Sequence, residues 1–507
     1  MAALFISFSA WALDPVAVQK LAFGDGDEKV EAIGALVAEG DAKAPELLRA
    51  FAEGNLYTVN KRVVVVREGK AHDVLSGEPV PGEREEVIAN NRLRNAVASA
   101  LGALKLNSSD AAERLAAAHA LADAGPAMLP LVQKALDKET DPEIRAVLQM
   151  TAAAAQVREG DKTSRIAAIR LLASSGNRTL LVEAASDPDE DIRREAQKSL
   201  RAIDGRLALG EWLGLAFAGV SLGSILLLAA LGLAITYGLM GVINMAHGEL
   251  IMIGAYATYV VQGLFRNSAF FDLYLIAAVP ISFLAAALVG IAMERSVIRW
   301  LYGRPLETLL ATWGLSLVLI QAVRTLFGAQ NVQVENPAFM SGGIQVMSNL
   351  VLPWNRIVII FFALAVLLSM WALLTRTRLG LFVRGVTQNR AMADCVGVPT
   401  SRVDTWAFGL GSGIAGLAGC ALSQLGNVGP DLGQGFIVDS FLVVVFGGVG
   451  QLAGTVYAAL VFGFANKLLE SWSGAVLAKI AVLAFIIFFI QRRPQGLFAL
   501  KGRALEA

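Results

Sequence analysis

Residues 436–469 read FIVDSFLVVVFGGVGQLAGTVYAALVFGFANKLL, 34 residues of nearly unbroken apolar character. As one helix they would extend about 51 Å at 1.5 Å per residue, far more than a hydrocarbon core of about 30 Å requires. Gly447-Gly448-Val449-Gly450 lies in the middle, so two helical pieces joined at a glycine break are expected. Seven other apolar stretches share the second part of the chain: 217–239, 248–265, 273–292, 308–327, 356–375, 404–424 and 475–490. Most have a length that suits a membrane span.

Charge placement sets the direction of these spans and tests the break. Of the 17 basic residues after position 206, 12 fall in three places. Arg295, Arg299 and Arg304 occupy the loop 293–306; Arg376, Arg378, Arg384, Arg390 and Arg402 occupy 376–403; Arg492, Arg493, Lys501 and Arg503 occupy the tail. The positive-inside rule makes all three cytoplasmic. Counting forward from 376–403, the tail ends inside only if 436–469 enters and returns. Counting back from 293–306 puts residue 210 outside, and with it everything upstream.

The upstream part has a different composition. The 507 residues carry 43 basic and 43 acidic side chains, but 1–206 holds 26 and 31 of them, against 17 and 12 in 207–507. A charged, acidic domain therefore precedes a sparsely charged apolar one, which excludes a wholly soluble protein. A zero overall balance also argues against nucleic-acid binding. Met1–Ala12 is apolar or small, and Ala10-Trp11-Ala12 fits a small-x-small cleavage site, so residues 1–12 read as a secretory signal lacking a basic leading region. That agrees with an extracytoplasmic domain over 13–206.

This domain reads as short amphipathic helices. Asp141-Pro142-Glu143-Ile144-Arg145 and Asp187-Pro188-Asp189-Glu190-Asp191-Ile192-Arg193 each offer an Asp cap, a Pro for the first turn and an apolar stripe. Their spacing of 46 residues is in the range of HEAT-type helix-pair repeats. Val63–Val66 with its flanking turn residues predicts a small β-hairpin insertion. Chemistry is not evident here. His72 and His119 lack triad partners, Glu85-Glu86 reads as solvated, and Gly69-Lys70-Ala71 is no phosphate loop. With His247 they form no metal-ligand spacing, and Cys395 and Cys420 both lie in the apolar half, so no disulfide framework or resident metal is expected.

The informative polar residues lie inside the membrane half. Asn244-Met245-Ala246-His247-Gly248-Glu249 sits between the first two apolar stretches, with Thr236 and Tyr237 just before it. Two readings are open: Asn and Glu cap a helix break, or the break exposes polar groups to a solute.

Gly238 through Glu249 (GLMGVINMAHGE) resembles the signature of the permeases of branched-chain amino acid ABC importers. Arg384–Arg390 (RGVTQNR) through Gly397-Val398-Pro399 is similar to their cytoplasmic coupling loop. Leu306–Leu317 (LETLLATWGLSL), Gly426–Gln434 (GNVGPDLGQ) and the charged extension look closer to the urea-importing branch. The resemblance implies an all-α polytopic inner-membrane permease over 210–503, of about eight spans plus the broken pair. It implies a homologous second permease, two cytoplasmic ATPase subunits that bind ATP, and a periplasmic binding protein. Tyr237, Asn244, His247, Glu249, Glu307 and Thr312 would line the substrate pathway; Arg384, Gln388, Asn389 and Arg390 would form the coupling loop. No Walker motif occurs in this chain, so a transport subunit without its own cofactor or catalytic residue is expected.

Urea is neutral, with several N–H donors and one acceptor, and needs amide, hydroxyl and carbonyl groups without a charge clamp. Glu249 has no Lys or Arg at a span centre to answer it, which favours a neutral cargo over a zwitterionic amino acid. Branched-chain amino acids are the alternative cargo, and an ATP-independent urea channel the alternative class. A membrane-anchored sensor would not need so many spans. An intramembrane enzyme fits poorly, because His247 and Glu249 are two apart and face different ways on a helix.

Overall fold

The computed structural model describes residues 13–39, 43–67, 70–108, 110–122 and 129–498; the signal reading of 1–12 lies outside the described residues. The chain divides into two compact units, Met1–Arg206 and Leu207–Ala507.

The first unit opens with α1 (Pro15–Phe23), α2 (Gly26–Glu39) and α3 (Ala44–Ala52). Asp14 caps α1 by accepting from the Val16 and Ala17 amides, with Pro15 in the first turn, where a missing N–H costs nothing. Four short strands follow: β1 (Leu56–Val59), β2 (Arg62–Arg67), β3 (Lys70–Asp73) and β4 (Glu85–Glu86). Val59 pairs with Arg62 across a two-residue turn in which Asn60 and Lys61 have φ of 48° and 63°. Such turns match the twist of a hairpin. The expected hairpin is thus half of a four-stranded antiparallel sheet in the order β3-β2-β1-β4, so this unit is not wholly helical. Charge hid the outer strands: Lys70–Asp73 and Glu85-Glu86 lack an apolar run, and backbone pairing alone recruits them.

Helices α4 (Asn91–Ala103), α5 (Ala111–Ala122), α6 (Leu129–Lys138), α7 (Pro142–Glu159), α8 (Lys162–Ser175) and α9 (Arg178–Ala184) complete this part. Asp141 caps α7 with Pro142 in its first turn, as its sequence suggests. The second marker differs. Asp189, not Asp187, accepts from the Asp191 and Ile192 amides, and Pro188 precedes the helix. Asp187 is engaged by Arg165 and by the Asp189 amide. Leu21, Ile33, Leu36, Leu48, Phe51 and Leu148 are buried in one core, each such side chain contributing roughly 1.5–3 kcal/mol of burial.

Helix α10 (Glu190–Met240) starts well before its apolar stretch at 217, and Ile192, Ala196 and Ile203 are buried along its first turns. The second unit continues with α11 (His247–Phe265), α12 (Tyr274–Ser296), α13 (Pro305–Phe327), the hairpin β5 (Gly343–Met347) and β6 (Leu350–Pro353), and α14 (Trp354–Arg376). Then come α15 (Arg378–Gln388), α16 (Arg390–Cys395), α17 (Thr400–Ser423), α18 (Gln434–Gly447), α19 (Leu452–Ser473) and α20 (Ala475–Arg492). Among the described residues, eight helices are long and apolar enough to cross a membrane, and α18 is a shorter apolar one. The 436–469 stretch is broken at Gly448, whose φ of 103° no L side chain adopts readily. The tail meets the break: the Leu497 amide donates to Phe446 O at 2.8 Å and the Phe498 amide to Gly447 O at 3.3 Å. The hairpin β5–β6 was not anticipated, since it lies between spans and only its pairing distinguishes it from loop.

Helices α11, α12 and α17 pack closely through small residues. The Gly254 backbone lies against Gly416, Gly290 faces Ser412, and Thr258 Oγ1 is 2.9 Å from Ser282 Oγ. Small residues let polar backbones approach where lipid supplies no hydrophobic drive. In contrast, α14 and α20 expose Leu368, Trp371, Phe485 and Phe488, the pattern of faces that meet lipid.

Candidate translocation site

The segment between α10 and α11 reverses on itself. Gly241 ends α10 with its amide on Tyr237 O and a φ of 66°, a left-handed turn suited to glycine. Residues 241–246 then run back along the helix they have just left. His247 donates from Nε2 to the Ala229 carbonyl at 2.9 Å. From Ala229 to Met240 is about 16 Å of helix at 1.5 Å per residue. Helix α11 therefore begins inside the bundle, not at its end.

Its first turn is polar and buried. Asn244, His247 and Glu249 are 1%, 0% and 2% exposed. Asn244 Oδ1 accepts from the Ala246 amide at 3.1 Å, and Thr312 Oγ1 of α13 accepts from the Met245 amide at 3.1 Å. Ser316, one turn further along α13, donates to Glu249 Oε1 at 2.7 Å. These bonds satisfy part of the cluster only. Among the described residues, Asn244 Nδ2, His247 Nδ1 and Glu249 Oε2 are buried with no hydrogen-bond partner, as are Tyr256 Oη and Ser412 Oγ. Orphaned groups of this kind are rare in proteins and call for an explanation.

A second helix starts at the same place. Gly433, just before α18, lies so near Gly248 that a Cβ on Gly248 would stand 2.6 Å from the Gly433 carbonyl oxygen. The N-terminal ends of α11 and α18 thus meet backbone to backbone. Each end carries the positive pole of a helix dipole, with first amides turned back on the preceding chain: His247 N donates to Asn244 O, Gln434 N to Asp431 O and Phe436 N to Gly433 O. Two interrupted helices meeting at depth in a bundle form a common site for polar solutes in transporters.

The model of a family described as "Branched-chain amino acid transport system / permease component" matches residues 215–491, more than half of the chain. The chain belongs to the branched-chain amino acid permease family of ABC importers. Among its relatives, the high-affinity branched-chain amino acid transport permease LivH of Salmonella typhimurium is 27% identical over 290 residues, 55% of this chain and 93% of its own. BraD of Pseudomonas aeruginosa, with the same described role, is 26% identical over 287 residues, 55% and 93% of the two chains. A shorter likeness, 30% over 109 residues, relates 20% of this permease to 34% of the ribose import permease RbsC of Escherichia coli K12. No solved structure matches.

Within this permease, the residues singled out from sequence fall into three groups. Asn244, His247, Glu249 and Thr312 share the junction. His247 turns toward α10 and Glu249 toward α13, as their spacing dictates. Tyr237 is nearby on α10, with its ring 5.9 Å from that of Phe441 on α18. Glu307 stands apart, exposed in the first turn of α13 and paired with Arg304 at 3.2 Å. Ser316 and Gly433 belong to the junction and were not assigned to it. Ser316 was detectable as the i+4 neighbour of Thr312 on one helix face; Gly433 carried no such signal.

The residues of 384–390 lie at the basic end of the bundle. Arg384, Gln388 and Asn389 are exposed on α15 and at its end, and Asn389 caps α16 through the Met392 amide at 2.9 Å. Leu381, Met392 and Val396 expose apolar side chains beside them. Arg390 is held differently: both ends of its guanidinium bind the buried Asp404 carboxylate.

Proposed function

We propose that this chain is the permease subunit of an ATP-driven importer whose cargo is urea or a short amide. It would work beside a second permease, two ATPase subunits docked on 376–403 and an extracytoplasmic binding protein. The orphan set at the junction carries the reading. With Nε2 of His247 donating to Ala229, Nδ1 is left as an acceptor. Glu249 Oε2 is a second acceptor and Asn244 Nδ2 a donor. These two acceptors, turned to different sides of α11, and one donor are groups of the kind that a solute with several N–H groups and one carbonyl would engage in turn as it passes.

Electrostatics supports a neutral cargo. No Lys or Arg is buried among the described residues, and Glu249 occupies the positive end of α11, where a solute carboxylate would otherwise bind. Separate observations favour a second reading, branched-chain amino acids, because the relatives LivH and BraD carry that description. The same junction would then take the solute's amino group at Glu249 and its carboxylate near the positive end of α18.

The N-terminal unit is read as a helical-repeat platform outside the membrane, for docking rather than chemistry. Arg158–Glu183 joins α7 to α9 and Arg170–Glu195 joins α8 to α10, and Arg114–Glu139 joins α5 to the residue after α6; all three have one offset of 25 residues, a regularity that supports a repeated helix arrangement. Uptake of labelled urea and of labelled leucine, in cells with and without this chain, tests the cargo. Chain-dependent urea uptake is expected. Chain-dependent leucine uptake with urea unaffected would transfer the assignment to amino acids.

A further inference from the structure

Two carboxylates are buried at the basic end of the bundle, away from the junction: Glu294 near the end of α12 and Asp404 near the start of α17. Neither belongs to the pathway, and a buried carboxylate persists only when it is thoroughly bonded. Glu294 accepts from Thr405 Oγ1 at 2.7 Å, from Tyr302 Oη at 3.1 Å and from Arg299 at 3.4 Å. Asp404 is bound by Arg390, the first residue of α16. The Arg390 guanidinium also lies over the Tyr302 ring, 5.1 Å from its centroid, a cation–π contact. One residue of the loop thus grips α17 through Asp404 and α12 through Tyr302 and Glu294.

These two helices are the ones packed on α11. Thr258 of α11 bonds Ser282 of α12, and Gly254 of α11 lies against Gly416 of α17. Helix α11 in turn opens on His247 and Glu249. We propose that Arg390, Asp404, Tyr302 and Glu294 form a mechanical joint that carries movement of the loop 376–403 into α12 and α17, and so to the start of α11. Arg390 acts in it as a positioning residue facing its own chain, while exposed loop residues such as Arg384 meet the ATPase. The inference rests on the reading of 376–403 as the coupling loop. Close packing favours transmission, because tightly packed helices shift as bodies and do not absorb a displacement.

The test uses the complete importer in liposomes and reads solute taken up per ATP hydrolysed, together with ATPase co-purification. Asp404→Asn and the mild Tyr302→Phe are expected to keep the ATPase bound and hydrolysing while the uptake-to-ATP ratio falls severalfold. Arg390→Asp should do the same, and combining it with Asp404→Arg should restore the ratio, which a purely structural defect would not allow. Wild-type ratios in Asp404→Asn and Tyr302→Phe, with Arg384→Glu uncoupled, would overturn the joint alone. Unchanged uptake in Arg384→Glu would overturn the coupling-loop reading and the joint with it. Loss of the ATPase in Arg390→Asp that Asp404→Arg fails to repair would mean that Arg390 contacts the partner directly.

Discussion

Asn244 shapes the break between α10 and α11 through a turn and not through a helix cap. Its Oδ1 accepts from the Ala246 amide two residues on, a side-chain turn just ahead of α11, and its Nδ2 is buried with no partner among the described residues. The Oδ1 bond is a property of the break; the unpartnered Nδ2 is the group proposed to meet a solute. Asn244→Ala is expected to lower uptake about 3–10-fold, the value of one hydrogen bond, with the complex still assembled. Asn244→Ser keeps a turn-forming oxygen and shortens the donor. Uptake at the wild-type rate in Asn244→Ser would mean that forming the turn is the whole role. A second residue-scale expectation concerns acid stability of the first unit. The Arg114 hydrogen bond, with the Asp141 and Thr140 amides, holds the Glu139 carboxyl below the usual carboxylate range. A depressed folded pKa adds stability that is fully present above the unfolded value of about 4.3 and is lost as pH falls through the folded one. Amide-exchange protection of α6 and α7 in the full chain should therefore be flat from neutral pH to about 5 and fall below that. Glu139→Gln should remove this acid-dependent part; an unchanged fall would place the acid sensitivity elsewhere.

Among the elements, the interrupted helices differ in how far they can be read from residues. The break in 436–469 is legible because its length exceeds any span and glycines mark its middle. The reversal at 241–246 is legible as a polar interruption, but its doubling back is not. Nothing in a linear pattern says that His247 bonds a carbonyl eleven residues before the end of the previous helix. The approach of α11 and α18 is less legible still, since Gly248 and Gly433 are far apart in sequence and meet only in the packed bundle. Gly433→Ala is expected to lose most uptake and to destabilise the protein by about 1–3 kcal/mol, because the new methyl would overlap the Gly248 carbonyl. Gly435→Ala, with open space around it, is the matched control. Equal uptake and melting temperature in the two variants would remove the Gly248–Gly433 contact from the mechanism.

For the whole molecule, the division of charge follows the division into units, with an acidic 1–206 and a basic 207–507. The family match covers 215–491. The two cysteines offer a test of the orientation expected from the basic loops. Cys395 is exposed at the end of α16 and Cys420 is buried in α17. A membrane-impermeant maleimide should label Cys395 in inside-out vesicles and not in right-side-out ones, with Cys420 unreactive in both. The opposite pattern for Cys395 would invert the topology and place the first unit in the cytoplasm.

The sequence by itself determined that this protein is a multi-span membrane subunit of the branched-chain amino acid permease family, joined to a charged helical domain. Apolar runs, glycine breaks and basic loops are local features, and the cost of placing charge or open backbone in lipid leaves few ways to arrange them. Only the tertiary structure decided which polar residues lie together. It gathered Asn244, His247, Glu249, Thr312 and Ser316, left Glu307 at the surface, and turned Arg390 inward to Asp404. Hydrogen bonds and close backbone contacts join residues far apart in the chain, and such pairings are set by how helices pack and not by the periodicity within any one of them.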